Sequence, residues 1–160
     1  MSGTKIKNLS DLLSTIRGLK KKGRKIVFTN GCFDILHYGH VMYLEKARKM
    51  GDILIVGVNS DSSIRKIKGA KRPLVGQRDR ARIIAALKSV DYVIIFKEKT
   101  PLQIISKIKP DILIKGADWK KNKIVGASVI KRYGGKACTV EFSPGRSTTN
   151  LIKKIVKIYS

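Results

Sequence analysis

The chain's two histidines, His37 and His40, stand three residues apart in Thr29-Asn30-Gly31-Cys32-Phe33-Asp34-Ile35-Leu36-His37-Tyr38-Gly39-His40. At that spacing on a helix both imidazoles can point the same way. A helix N-terminus already attracts anions through its free N–H groups and its dipole. Gly39 between the histidines lets a ligand approach the backbone. Two imidazoles, a glycine and a helix start make a phosphate clamp. Three plainer readings compete. Asn30-Gly31 could be a hairpin turn, but no alternating second strand follows it. Cys32 and the histidines could bind zinc, but a fourth ligand and any Cys-x-x-Cys pair are missing. The histidines could also be incidental surface residues.

A strand and a helix must hold this clamp in place. Ile26, Val27 and Phe28 have the β-branched or aromatic character of a buried strand. Beyond Gly39 the apolar period changes to that of a helix over about 39–50, with Gly51 as a stop. The alternation continues to the C-terminus. Helices are expected over 10–20 (with Ser10 as N-cap), 61–67, 77–89, from Thr100-Pro101 to 108, over 123–133 and over 147–158. Thr100 would supply a hydroxyl cap to the fourth of these. Strands are expected over 25–29, 53–58, 90–96, 111–115 and 136–142. The run Ile53–Val58 is apolar throughout, as suits a parallel strand covered on both faces. Residues 68–77, rich in cations, glycine and proline, read as a mobile lid. Short connections between alternating elements imply right-handed βαβ units. The expected fold is α/β: a Rossmann-like, doubly wound parallel five-stranded sheet with helices on both faces, in a single domain over 1–160. In such a sheet the exit loops at 30–40, 115–119 and 143–149 share one rim.

Composition narrows the partners. The chain of 160 residues is 42% hydrophobic, which excludes a disordered chain. No apolar run reaches the roughly 20 residues that span a bilayer, and the N-terminus lacks a secretory pattern, so no membrane partner and a cytoplasmic location are expected. Cys32 and Cys138 read as free thiols. The formal charge is +24, yet residues 1–80 carry 18 of the 35 Lys and Arg. So even a spread, with few aromatics, reads as a lysine-rich surface and not as a nucleic-acid stripe.

The expected rim gathers His37, His40, Lys68, Lys71, Arg72, Arg80, Lys115, Asp118 and the hydroxyls of Ser147, Thr148 and Thr149. Cations and donors dominate, with no serine–histidine–acid set and no P-loop. That suits phosphoryl or nucleotidyl transfer, in which the protein positions phosphates and stabilises the leaving group. Each residue alone has a bland reading. Lys68 and Lys71 could be solvated loop charges and Arg80 a helix-surface arginine. Ser147–Thr149 could be a helix cap, and Asp118 with Trp119 a turn and a packing anchor.

Residues 29–40 resemble the signature of the HxGH nucleotidyltransferases, and the likeness runs from about residue 9 to the end. It implies direct attack of a substrate phosphate on the α-phosphorus of a nucleoside triphosphate. Cys32 and Phe33 would lie beside that phosphate, with His37 and His40 on the transition state and Asp34 tuning the loop. Lys68 in Ile67-Lys68-Gly69 matches the family's mobile lysine, and Arg80 its arginine before Val90-Asp91. Lys115-Gly116-Ala117-Asp118-Trp119 matches the base- and ribose-binding strand end, and Ser147-Thr148-Thr149 the motif on the β- and γ-phosphates. Phe142 replaces the arginine of the glycerol-phosphate cytidylyltransferases. Asn30-Gly31-Cys32, Arg146 and Asn150 match the heptose 1-phosphate adenylyltransferase branch. The resemblance therefore implies ATP and a sugar 1-phosphate as substrates. Asn30, Asp34, Lys71, Arg72 and Arg146 would lie near the sugar phosphate. Mg²⁺ would come with the triphosphate and not from a protein metal site. The product would be an ADP-heptose for lipopolysaccharide core synthesis, made by a stand-alone, homo-oligomeric enzyme. A glycerol-3-phosphate-type cytidylyltransferase and a basic nucleic-acid-binding module are the alternatives.

Overall fold

The structure, a computed structural model, describes residues 5–116, 124–141 and 147–159. In chain order the elements are α1 (Leu9–Lys21), β1 (Ile26–Gly31), α2 (Tyr38–Arg48), β2 (Ile53–Asn59), α3 (Asp61–Lys68), α4 (Gln77–Ala86), β3 (Tyr92–Phe96), α5 (Leu102–Ile108), β4 (Ile112–Gly116), α6 (Ala127–Arg132), β5 (Lys136–Val140) and α7 (Thr148–Tyr159). The strands form one parallel sheet in the order β3-β2-β1-β4-β5. The chain winds outward from β1 to β3, then returns to add β4 and β5 on the other side. The direction reverses between β1 and β4, where a doubly wound sheet opens its ligand crevice.

Alternate residues of each strand serve opposite faces. Val27, Leu54 and Val56 pack with Tyr43, Leu44 and Ala47 of α2 and Ile84 of α4. Ile26, Phe28 and Ile55 pack with Leu12 and Ile16 of α1, Ile105 and Ile108 of α5 and Ile130 of α6. Burial of each such side chain contributes roughly 1.5–3 kcal/mol.

Three aspartates set the register at the N-terminal ends of the strands. Asp52 accepts from the Lys25 N–H, Asp91 from the Leu54 N–H and Asp111 from the Ile26 N–H, each at 2.7 Å. Each lies just before a strand and satisfies a donor within or just before the neighbouring one. These three acidic groups thus work at the bottom of the sheet, while Asp34 and Asp61 at the upper rim are paired with arginines.

Several local expectations are corrected. Asn8, not Ser10, caps α1: its backbone is extended and its side chain accepts from the Asp11 N–H at 2.9 Å. Thr100 gives α5 no hydroxyl cap, because Pro101 itself holds the N-cap position and no side-chain bond is made there. The helix expected over 123–133 is Ala127–Arg132, preceded by Gly126 at φ 92°. Among the described residues, no helix is long and apolar enough to cross a membrane.

Candidate functional site

The site grows from the end of β1. The Thr29 hydroxyl lies 2.7 Å from the Tyr43 hydroxyl and donates to the Ile114 carbonyl at 3.0 Å. This buried knot ties α2 to both β1 and β4, so the helix start cannot drift from the sheet. His37 is the N-cap residue of α2. The His37 and His40 rings stack with centroids 3.9 Å apart and planes 24° apart. Phe33 meets the His40 ring edge-on at 5.2 Å. Phe33 takes φ 48°, the left-handed region that side chains seldom occupy. Gly31 makes room for this: a Cβ there would stand 3.0 Å from the Phe33 ring.

Burial, helped by the neighbouring His37 and then Lys68, holds the pKa of His40 down to about 4. His40 is therefore neutral at pH 7, and among the described residues its Nδ1 is buried without a hydrogen-bond partner. Burial also pushes the Cys32 thiol up, against the pull of Lys68 and Arg80. A thiol kept protonated is a poor nucleophile.

The switch point itself is bridged by Lys115, which donates to Asn30 Oδ1 at 2.5 Å. Beside this bridge lies a cavity of about 460 Å³, lined by Asn30, Cys32, Asn59, Lys68, Lys99 and Thr100 among others. Asn30, Cys32, Lys68 and Lys115 are sequence-predicted site residues. Asn59, Lys99 and Thr100 are not, although two signals were present: Asn59 ends β2, and Lys99-Thr100 follows β3, both at strand exits on the same rim. Gly39 is buried in the first turn of α2, and Gly116 is buried at the end of β4.

Three expected site residues are occupied elsewhere. Asp34 is buried; its Oδ1 accepts from the Leu74 and Val75 N–H groups at 2.8 and 2.9 Å, and its Oδ2 pairs with Arg72 at 2.6 Å. Arg80 is 1% exposed. It donates to the Val75 carbonyl at 2.8 Å, to the Cys32 carbonyl at 2.6 Å and to Asp61 at 2.7 Å. Asp34, Arg72 and Arg80 thus bind protein groups, and the loop between α3 and α4 is pinned to the loop after β1. A lid free of such ties was expected; the carboxylate and the guanidinium draw it inward because neither can be buried unpaired. Lys68 closes α3 and Lys71 stands exposed on the loop.

The start of α7 reaches the same place from across the sequence. Thr148 Oγ1 donates to the Ile35 carbonyl at 3.5 Å, and Ser147 Oγ accepts from the Asn150 N–H at 3.1 Å. Ser147 is therefore also a helix cap. Thr149 is exposed beside it. Asp118, Trp119, Phe142 and Arg146 lie outside the described residues. Among the described residues, no group of three or more His, Cys, Asp or Glu side chains could hold a metal ion. The chemistry on offer is a paired neutral imidazole, ammonium groups and helix-start hydroxyls along one rim, a set that receives phosphates.

Comparison with known proteins agrees with that chemistry. A family model described as cytidylyltransferase-like matches residues 28–152. The bifunctional protein HldE of Geobacter sulfurreducens is 54% identical over 97% of this chain, and that of Geobacter metallireducens 53% over 99%. The chain spans about a third, 32%, of the length of either relative. Among solved structures, a lipopolysaccharide core biosynthesis protein from Thermoplasma volcanium superposes with a TM-score of 0.63 at 34% identity, covering 76% of this chain and 98% of that one. Pantoate-beta-alanine ligase from Francisella tularensis has a TM-score of 0.65 at 17% identity, covering 91% of this chain and 69% of that one, a likeness of fold.

Proposed function

The chain belongs to the cytidylyltransferase-like family of nucleotidyltransferases, and on that premise we propose that it joins ATP to D-glycero-β-D-manno-heptose 1-phosphate, releasing pyrophosphate. A sugar-phosphate oxygen attacks the α-phosphorus, the bond from that phosphorus to the β-phosphate bridging oxygen breaks, and pyrophosphate carries away the displaced charge. The observation that carries the reading is the stacked His37–His40 pair at the start of α2. Imidazole N–H groups at a helix N-terminus donate hydrogen bonds to developing phosphate charge. Ser147, Thr148 and Thr149 receive the β- and γ-phosphates. Lys115, Gly116 and Asp118 serve the nucleoside. Lys68 faces the transferring phosphate from the cavity beside the switch point, with Cys32 on its wall. Asn30, Asn59, Lys99 and Thr100 line the same cavity and meet the sugar phosphate, with Lys71 adding positive charge on the neighbouring loop.

Mg²⁺ rides on the triphosphate. Asp34 and Asp61 are committed to arginines, so neither would hold the ion, which would neutralise charge on the triphosphate. The heptose assignment draws support from the relatives named HldE and from the Thermoplasma volcanium protein described as acting in lipopolysaccharide core biosynthesis.

Pyrophosphate release measured for each nucleoside triphosphate against heptose 1-phosphate, glycerol 3-phosphate and other phosphate acceptors tests this. Release is expected with ATP and heptose 1-phosphate. Its absence with that pair, or a preference for CTP and glycerol 3-phosphate, overturns the assignment.

A further inference from the structure

Arg80 fills the interior between the loop after β1 and the loop before α4. Its three bonds run to the Asp61 carboxylate and to the carbonyls of Val75 and Cys32. Asp61 is itself fixed, since its N–H donates to Gln77 Oε1 at 2.9 Å. The bond to Cys32 governs the orientation of a whole peptide. The Cys32–Phe33 bond is trans, because the one cis bond among the described residues is Arg72–Pro73. In a trans peptide the C=O and the next N–H point in opposite directions. A guanidinium holding the Cys32 oxygen from inside therefore turns the Phe33 N–H away from the interior. Among the described residues, nothing accepts from that N–H. Cys32 lines the cavity beside Lys68, and the left-handed φ of Phe33 lays its ring against His40.

We infer that Arg80 is a positioning residue: held by Asp61, it grips the Cys32 carbonyl and thereby aims the Phe33 N–H into the cleft as a donor to a nucleotide phosphate. The inference rests on the nucleotide-binding reading above, but not on which acceptor is used. The guanidinium makes no contact with substrate. It fixes the direction of a backbone dipole, and an N–H already oriented needs no reorganisation when charge develops opposite it. Asp61 belongs to the same device, because it takes the one Arg80 bond that does not go to a loop carbonyl.

The test is spectroscopic. The chain has four phenylalanines, so ¹⁵N-phenylalanine labelling gives a spectrum of at most four amide peaks, and a Phe33→Leu variant identifies the one concerned. Titration with Mg²⁺–ATP is expected to move the Phe33 amide in the unaltered chain. In Asp61→Asn and Arg80→Lys the movement should fall by at least half, and ATP should bind about tenfold more weakly, as for one charge-assisted hydrogen bond lost. Arg80→Lys could fail to fold, being buried. Asp61→Asn alters only the partly exposed partner and carries the test if so. An unmoved Phe33 amide in the unaltered chain, or equal movement in the folded variants, overturns the inference. A chain that releases no pyrophosphate, yet shows the amide shift and its loss in Asp61→Asn, would sink the proposed reaction and leave this inference standing.

Discussion

At His40 burial couples the imidazole's proton to folding. Its pKa of about 4 in the folded chain, against 6.5 for the free side chain, means that between those values the unfolded chain binds a proton the folded one does not. Stability should therefore fall as pH drops from about 6.5 to 4. His40→Gln should flatten that part of a denaturation series, and an unchanged slope would contradict the shift. A bound triphosphate reverses the balance: negative charge beside His40 raises its pKa, so ATP binding near pH 6 should take up a proton. Calorimetry in buffers of different ionisation enthalpy reads this directly, and the uptake should diminish in His40→Gln. Turnover tests the pair. His37→Ala or His40→Ala should lower kcat by about a hundredfold or more while leaving the circular dichroism spectrum intact, as for a lost donor to a transition-state oxyanion.

Among the elements, the loop between α3 and α4 is held by chemistry that neither helix supplies. Asp34 carries two backbone bonds and an ion pair, with its side chain 1% exposed. Asp34→Asn keeps an acceptor but leaves Arg72 without its counter-charge, and should cost about 3 kcal/mol in chemical denaturation. It should also open residues 69–76 to limited proteolysis. Intact resistance to protease in that variant would show that the loop is held by other means. A loop with two glycines and a proline reads as mobile from sequence, and the buried carboxylate explains why the native chain should resist cleavage there.

The whole molecule carries +24, with three aspartates bound to backbone at the bottom of the sheet and two at the rim paired with arginines. A field of that sign steers anionic substrates. The association rate for ATP should fall several-fold between 0.05 and 0.5 M salt, roughly in step with the shrinking Debye length; a rate indifferent to salt would show that the surplus charge is not used for capture. The order of strands and helices was legible in the residues because each apolar run has the period of its element, and the His-x-Gly-His spacing announced the helix start that bears the imidazoles. These are local properties, written into neighbouring side chains. The partners of Asp34 and Arg80 were not legible: a buried carboxylate and an exposed one look alike in a string of letters, and only folding brings Cys32, Asp61 and Val75 around one guanidinium. Asn59, Lys99 and Thr100 likewise came to line one cavity only when four strand exits met. Sequence alone determined which chemistry the chain can offer, since that resides in residue types and short spacings. Tertiary structure decided which charges face the cleft and which hold it together, because burial and pairing are settled by groups distant along the chain.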